Sequence, residues 1–151
     1  MKYKIEGVVG EKCEIDMPIY RYADVLTLLS EAIVRNGNRV TQEAVDLLNQ
    51  VRVKHGGLRA YKLSDFLSVE DFLDKLLEER GHEFYFEGVR RQDLIRHGKF
   101  IEKALEKARF AGQPTGKIET MIDGKYKYEK FPLPTHIITE GQGLIIQNPG
   151  Y

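Results

Sequence analysis

The stretch Glu78-Glu79-Arg80-Gly81-His82-Glu83-Phe84-Tyr85-Phe86-Glu87-Gly88, running on into Val89-Arg90-Arg91-Gln92-Asp93-Leu94-Ile95-Arg96, decides how this chain is read. It interleaves carboxylates with aromatics, stops at a glycine and continues into arginines. Glu79, Glu83 and Glu87 are spaced i, i+4 and i+8, so on a helix they form one stripe. Like charges at that spacing repel by roughly a few tenths of a kcal/mol per exposed pair. A chain that keeps them beside Phe84 and Phe86 is expected to neutralise them with Arg80, Arg90 or Arg91, because a planar guanidinium can hold two carboxylate contacts at once. Two metal readings fail on spacing. Glu79-x-x-His82 is half of a di-iron motif, but no second Glu-x-x-His occurs in the chain. His82-Glu83 opens a His-Glu-x-x-His, but Phe86 stands where the second His belongs. The expectation is a structural ion-pair network of Glu79, Arg80, Glu83, Glu87 and Arg90, with no catalytic, metal-binding or cofactor-binding role and no cofactor.

Outward from this stretch, helical periodicity dominates. A first helix is expected over about Tyr20–Arg35, with Val25, Leu26, Leu28, Leu29, Ala32 and Ile33 on its apolar face. Asn36-Gly37-Asn38 supplies a left-handed stop. Thr41 caps a second helix to about Lys54, with Ala44, Val45, Leu47, Leu48 and Val51 on one face. Two helices joined by so short a loop lie antiparallel. Leu58–Leu67 reads as a connector. Ser68, with Asp71 three residues on, caps a third helix whose stripe is Val69, Phe72, Leu73, Leu76, Leu77, Arg80 and Phe84. A fourth helix follows Gly88, breaks near His97-Gly98 and runs to about Phe110. Residues 1–16 alternate weakly around Gly7 and Gly10, as an extended segment or loose hairpin. Thr115–Lys130 reads as a short hairpin around Asp123-Gly124, and Phe131-Pro132-Leu133-Pro134 as extended.

The fold expected is mainly α: tetratricopeptide-like antiparallel helix pairs with long loops and a short β-hairpin. It forms a single domain over 1–151, with an extended lead-in (1–18), a helical region (19–110) and a loop-and-hairpin tail (111–151). The length suffices for one sizeable core.

The formal net charge is zero, so no global field favours nucleic acid or an anionic membrane. Residues 90–109 carry seven Lys/Arg against Asp93, Glu102 and Glu106, which reads as a solvated helix face without the aromatic interleaving that binds nucleic-acid strands. Gly112-Gln113-Pro114-Thr115-Gly116-Lys117 has the wrong glycine spacing for a phosphate loop, and Ile118 replaces the Ser/Thr. No apolar run approaches the roughly 18 residues of a spanning helix. The single Cys13 permits no internal disulfide and, with charged residues before it, does not read as a lipid anchor.

Five blocks in order resemble the C-terminal region of SusD/RagB proteins. Ile19-Tyr20-Arg21-Tyr22-Ala23-Asp24-Val25-Leu26 with Ser30-Glu31-Ala32 is similar to the start of that region. Leu48-Asn49-Gln50-Val51-Arg52 resembles a second motif. The opening stretch, through Glu79-Arg80, Glu83-Phe84, Phe86-Glu87-Gly88, Arg90, Asp93-Leu94 and Arg96, resembles the family signature. Pro132-Leu133-Pro134 and Gln147-Asn148-Pro149-Gly150-Tyr151 resemble its closing segments. The aromatic pair usual after the second signature arginine is replaced by Arg91-Gln92.

The resemblance implies a mainly helical, tetratricopeptide-like fold and no enzymatic activity. It implies an outward-facing outer-membrane lipoprotein that binds glycans or other nutrients, with a SusC-like TonB-dependent transporter as partner. The chain carries no targeting signal, so its membrane association would run through a lipid anchor absent from it. Family ligand contacts come largely from loops outside these blocks, so none is carried over. On general grounds the loop aromatics Tyr61, Phe110, Tyr126 and Tyr128 are candidate ligand-binding residues, because sugars stack on exposed aromatic faces. Family members are several times longer, so the first helix pair is expected to expose apolar surface and the chain to self-associate. The alternative reading is a helical-repeat module that binds another protein.

Overall fold

The computed structural model describes residues 8–9, 12–13, 19–122 and 124–151. The chain divides into two compact units, residues 1–88 and 89–151. In the described residues they hold six α-helices and two short antiparallel pairs of strands, so the fold is mainly α.

The first unit begins with β1 (Val8–Val9) paired to β2 (Lys12–Cys13), Val8 opposite Cys13. Most of the lead-in expected to be extended, Met17-Pro18 included, lies outside the described residues. Helix α1 spans Tyr22–Gly37 and ends where Asn38 adopts a left-handed backbone, φ 46°. Helix α2 spans Gln42–Lys54, and its N-cap Thr41 accepts a hydrogen bond from the Ala44 N–H. The pair packs as an αα-hairpin. Helix α3, Val69–Glu83, packs on both, chiefly on α1. Ser68 Oγ accepts from the Asp71 N–H at 3.1 Å, while the Asp71 carboxylate caps the Leu67 N–H at 2.9 Å. The reciprocal half of the capping box is thereby displaced by one residue.

The core is Val34, Ala44, Val45, Leu48, Phe72 and Leu76, all fully buried. Phe66 bridges Phe72 and Tyr61 through edge-to-face contacts at 4.8 and 5.2 Å. For α2 and α3 the apolar stripes read from the sequence are the faces that pack. For α1 they agree only in part: Leu26 is buried and Ile33 packs against the core, but the rest of the expected face is exposed. Val25, Leu28 and Leu29 are 55%, 40% and 47% exposed, and Ala32 is exposed too. The buried face is Ala23, Leu26, Thr27, Ser30, Glu31 and Val34. Its two hydroxyls are satisfied by backbone carbonyls, so burial costs them little. Thr27 donates to Ala23 O, Ser30 donates across to Ala44 O on α2 at 2.7 Å, and Glu31 pairs with Arg35. Small hydroxyl residues let the helices approach more closely than leucines would.

The second unit begins with α4 (Arg90–Arg96) and α5 (Phe100–Phe110), separated at Gly98, whose φ of +68° a glycine adopts without strain. Strands β3 (Met121–Ile122) and β4 (Lys125–Tyr126) pair antiparallel; of the expected turn, Gly124 has φ +74° and Asp123 lies outside the described residues. Helix α6, Thr135–Glu140, follows Pro134 within the tail that the sequence pattern leaves as loop. The closing segment clamps Phe131–Pro134: Gln147 both accepts from Leu133 N and donates to Leu133 O, and Asn148 donates to Phe131 O.

Candidate functional site

The charged residues of the opening stretch are paired, but not along one helical stripe. Helix α3 ends at Glu83, and Glu87 lies beyond a turn in which Phe86 takes a left-handed backbone, φ 69°. Beside the expected partners Arg80, Arg90 and Arg91, two arginines remote in sequence hold these glutamates: Arg21 and Arg52. Arg21, just before α1, donates Nε and Nη2 to the two Glu87 carboxylate oxygens at 2.9 Å, Nη1 to Glu83 Oε1 at 2.7 Å and Nη2 to Glu83 O at 3.0 Å. The hydrogen bond to Glu87, then those to Glu83, raise the Arg21 pKa against the opposing effect of burial. Arg52 of α2 pairs with Glu79 and donates to Arg59 O. Arg80 turns the other way, to Asp24 and Thr27 of α1 at 2.7 and 2.6 Å. Both Arg21 and Arg80 place their guanidinium groups 4.9 Å from the Phe84 ring centre. Arg90 opens α4 in the second unit and is half-buried.

Beside this network lies an open cleft of about 670 Å³, lined by Arg21, Arg52, His55, Glu79, His82 and Glu83 among others. His55 Nδ1 lies 3.0 Å from Glu83 Oε1. Most of its charged groups hold one another, which makes this wall a scaffold. Among the described residues, no group of three or more His, Cys, Asp or Glu is placed to hold a metal ion.

The four candidate aromatics do not form one cluster. Tyr61 is half-buried in the first unit; its ring lies 4.0 Å under the Arg52 guanidinium and its backbone is held in both directions by Asn49. Burial raises its hydroxyl pKa. Those contacts commit the ring to packing. Phe110 stands at the end of α5, 95% exposed. Tyr126 lines a smaller cleft of about 270 Å³ on the β3–β4 hairpin, and Tyr128 lies on the turn that follows. Arg91, the residue at the position of the usual family aromatics, stacks over Phe131 at 4.2 Å and Phe100 at 5.1 Å and donates to Glu129 O. Charge spacing alone does not point to Arg21, Asp24 or Arg52. The available signal was their membership of the sequence blocks that resemble the family.

Those blocks therefore meet in space: the segment before and within α1, the end of α2 and the end of α3 are tied by the ion pairs above. The sequence matches the SusD family over residues 2–151. The chain belongs to the SusD family. The starch-binding protein SusD of Bacteroides thetaiotaomicron is 29% identical over 138 residues, covering 91% of this chain and 22% of that protein. The crystal structure of a SusD homologue from the same organism matches with a TM-score of 0.73 at 28% identity, covering 97% of this chain and 30% of that one. This SusD-family chain thus spans about a fifth to a third of the length of these relatives.

Proposed function

We propose that this chain, a single domain over residues 1–151, forms part of a SusD-like binding protein, outward-facing at the outer membrane, that captures a glycan or other nutrient for a SusC-like TonB-dependent transporter. The observation that carries the reading is the family match along nearly the whole chain, with a starch-binding protein among its relatives. The role is binding rather than catalysis. The charged signature holds the helices, and ligand contacts come from loop aromatics, with Tyr126 and Tyr128 better placed than the packed Tyr61.

Calorimetric titration of the protein carrying this chain against starch-type and other oligosaccharides tests the proposal, together with co-purification from membranes. Saccharide binding and a co-purifying barrel are expected. Failure to bind any oligosaccharide, with no barrel recovered, removes it. A second reading, a helical module that binds another protein, draws on the apolar exposure of α1. Retention of saccharide binding when that face is made polar decides against it.

A further inference from the structure

The second unit brings three lysines close together on its hairpin, without an ion pair among the described residues. In the first unit Arg21, Arg35, Arg52, Lys75 and Arg80 each meet a carboxylate within 3.0 Å. Among the described residues no ion pair involves Lys125, Lys127 or Lys130. All three line the hairpin cleft, and among the described residues Glu129 is the carboxylate that lines it with them. Three lysines beside so small a volume, against the single carboxylate of Glu129 among the described lining, raise the local potential and favour an anion.

The cleft is also built on a fixed frame. Pro149 forms part of its wall. Gly150, at φ +89°, approaches so closely that a Cβ there would meet Ile122 Cδ1 at 2.4 Å. The Tyr151 hydroxyl donates to Lys130 O at 3.1 Å, and the Lys127 ammonium lies 4.3 Å over the Tyr151 ring. Lys127 is thus engaged with an aromatic face, whereas Lys125 and Lys130 are exposed. Tyr126, Ile122 and Pro149 add apolar lining beside the cations. An apolar ring, ammonium groups and one carboxylate acceptor together match a sugar ring bearing an acidic substituent. An inorganic anion would have no use for the apolar part.

We propose that this cleft is a subsite for an acidic saccharide, one carrying a uronate carboxylate or a sulfate ester. Lys125 and Lys130 take the anion, Tyr126 offers its ring to the sugar and Glu129 accepts from a sugar hydroxyl. The inference rests on the glycan-capture reading and narrows its substrate class.

The test is calorimetric titration of the protein carrying this chain with four probes: an oligogalacturonate, a sulfated oligosaccharide, a neutral oligosaccharide of equal length and polyaspartate. At least one acidic saccharide is expected to bind about tenfold more tightly than the neutral one, the gain that two partly exposed ion pairs supply. Which acidic probe binds more tightly identifies the anion as carboxylate or sulfate. The Lys125→Ala/Lys130→Ala variant should lose that preference, and the Lys→Arg pair should keep it; unchanged thermal unfolding shows that both remain folded. Tyr126→Ala should weaken both acidic and neutral saccharides. Equal binding of neutral and acidic saccharides, unaffected by the lysine substitutions, overturns the subsite and leaves glycan capture standing. Polyaspartate binding as tightly as the acidic sugars overturns it as mere charge attraction. Absence of binding to every saccharide overturns both.

Discussion

The Arg21 guanidinium reaches four acceptor atoms on two glutamates, with three of its own nitrogens engaged. Lysine offers a point charge on a flexible stem and cannot reproduce that fork. Arg21→Ala removes this fork from two largely buried carboxylates, and is expected to cost about 2–3 kcal/mol, below the figure for a fully buried pair because Arg21 is partly exposed. Arg21→Lys should recover less than half of the loss, both read from urea denaturation midpoints. At Asp71 the decisive group is the Leu67 N–H, followed by Lys75; together they hold the carboxyl below its ordinary pKa of 3.8. A folded-state pKa below the unfolded one stabilises at any pH above the ordinary value. That contribution disappears as pH falls through the lower, folded value. Asp71→Asn is therefore expected to lower stability at neutral pH and to flatten the profile as pH falls below about 5, where the wild-type contribution is itself being lost.

Helices α2 and α3 were legible in the sequence and α1 was legible only as a helix. In α2 and α3 the apolar periodicity and the core coincide, and Thr41 and Ser68 fix their starts. In α1 two faces compete: Val25, Leu28 and Leu29 carry the hydrophobic signal, while Thr27, Ser30 and Glu31 pack inward with Ala23, Leu26 and Val34. Hydropathy ranks the first face higher because it cannot see that each buried hydroxyl finds a carbonyl at close range. The charged network escaped for a related reason, since Arg21 and Arg52 are remote in sequence from Glu79, Glu83 and Glu87. The two faces of the fold make a sharp contrast on mutation. Phe72→Ala, at a fully buried site, should cost about 3–5 kcal/mol. Leu29→Ala should change stability by about 0.5 kcal/mol or less. Equal losses at the two positions in thermal unfolding would show that α1 is turned the other way.

For the molecule as a whole, the exposed side of α1 adds Tyr22 to Val25, Leu28 and Leu29, and Ile19 and Tyr20 precede it, more than 80% exposed. Contiguous apolar surface of that kind promotes association. The chain is expected to bind an apolar dye and to sediment as concentration-dependent oligomers. Val25→Glu/Leu29→Glu should abolish both without changing the helical circular dichroism. The ties made by Arg21 have a different consequence, one of timing. They span 62 and 66 residues, whereas the Glu31–Arg35 pair spans four. Closing so long a loop costs entropy before any contact rewards it. The α1–α2 hairpin can form early from neighbours in sequence, but the bridge from Arg21 to the end of α3 must wait until α3 has docked. Interactions absent from the folding transition state govern escape from the native state rather than entry into it. Arg21→Ala should therefore accelerate unfolding in stopped-flow experiments and leave the folding limb nearly unmoved, making this arginine a latch on an already folded unit.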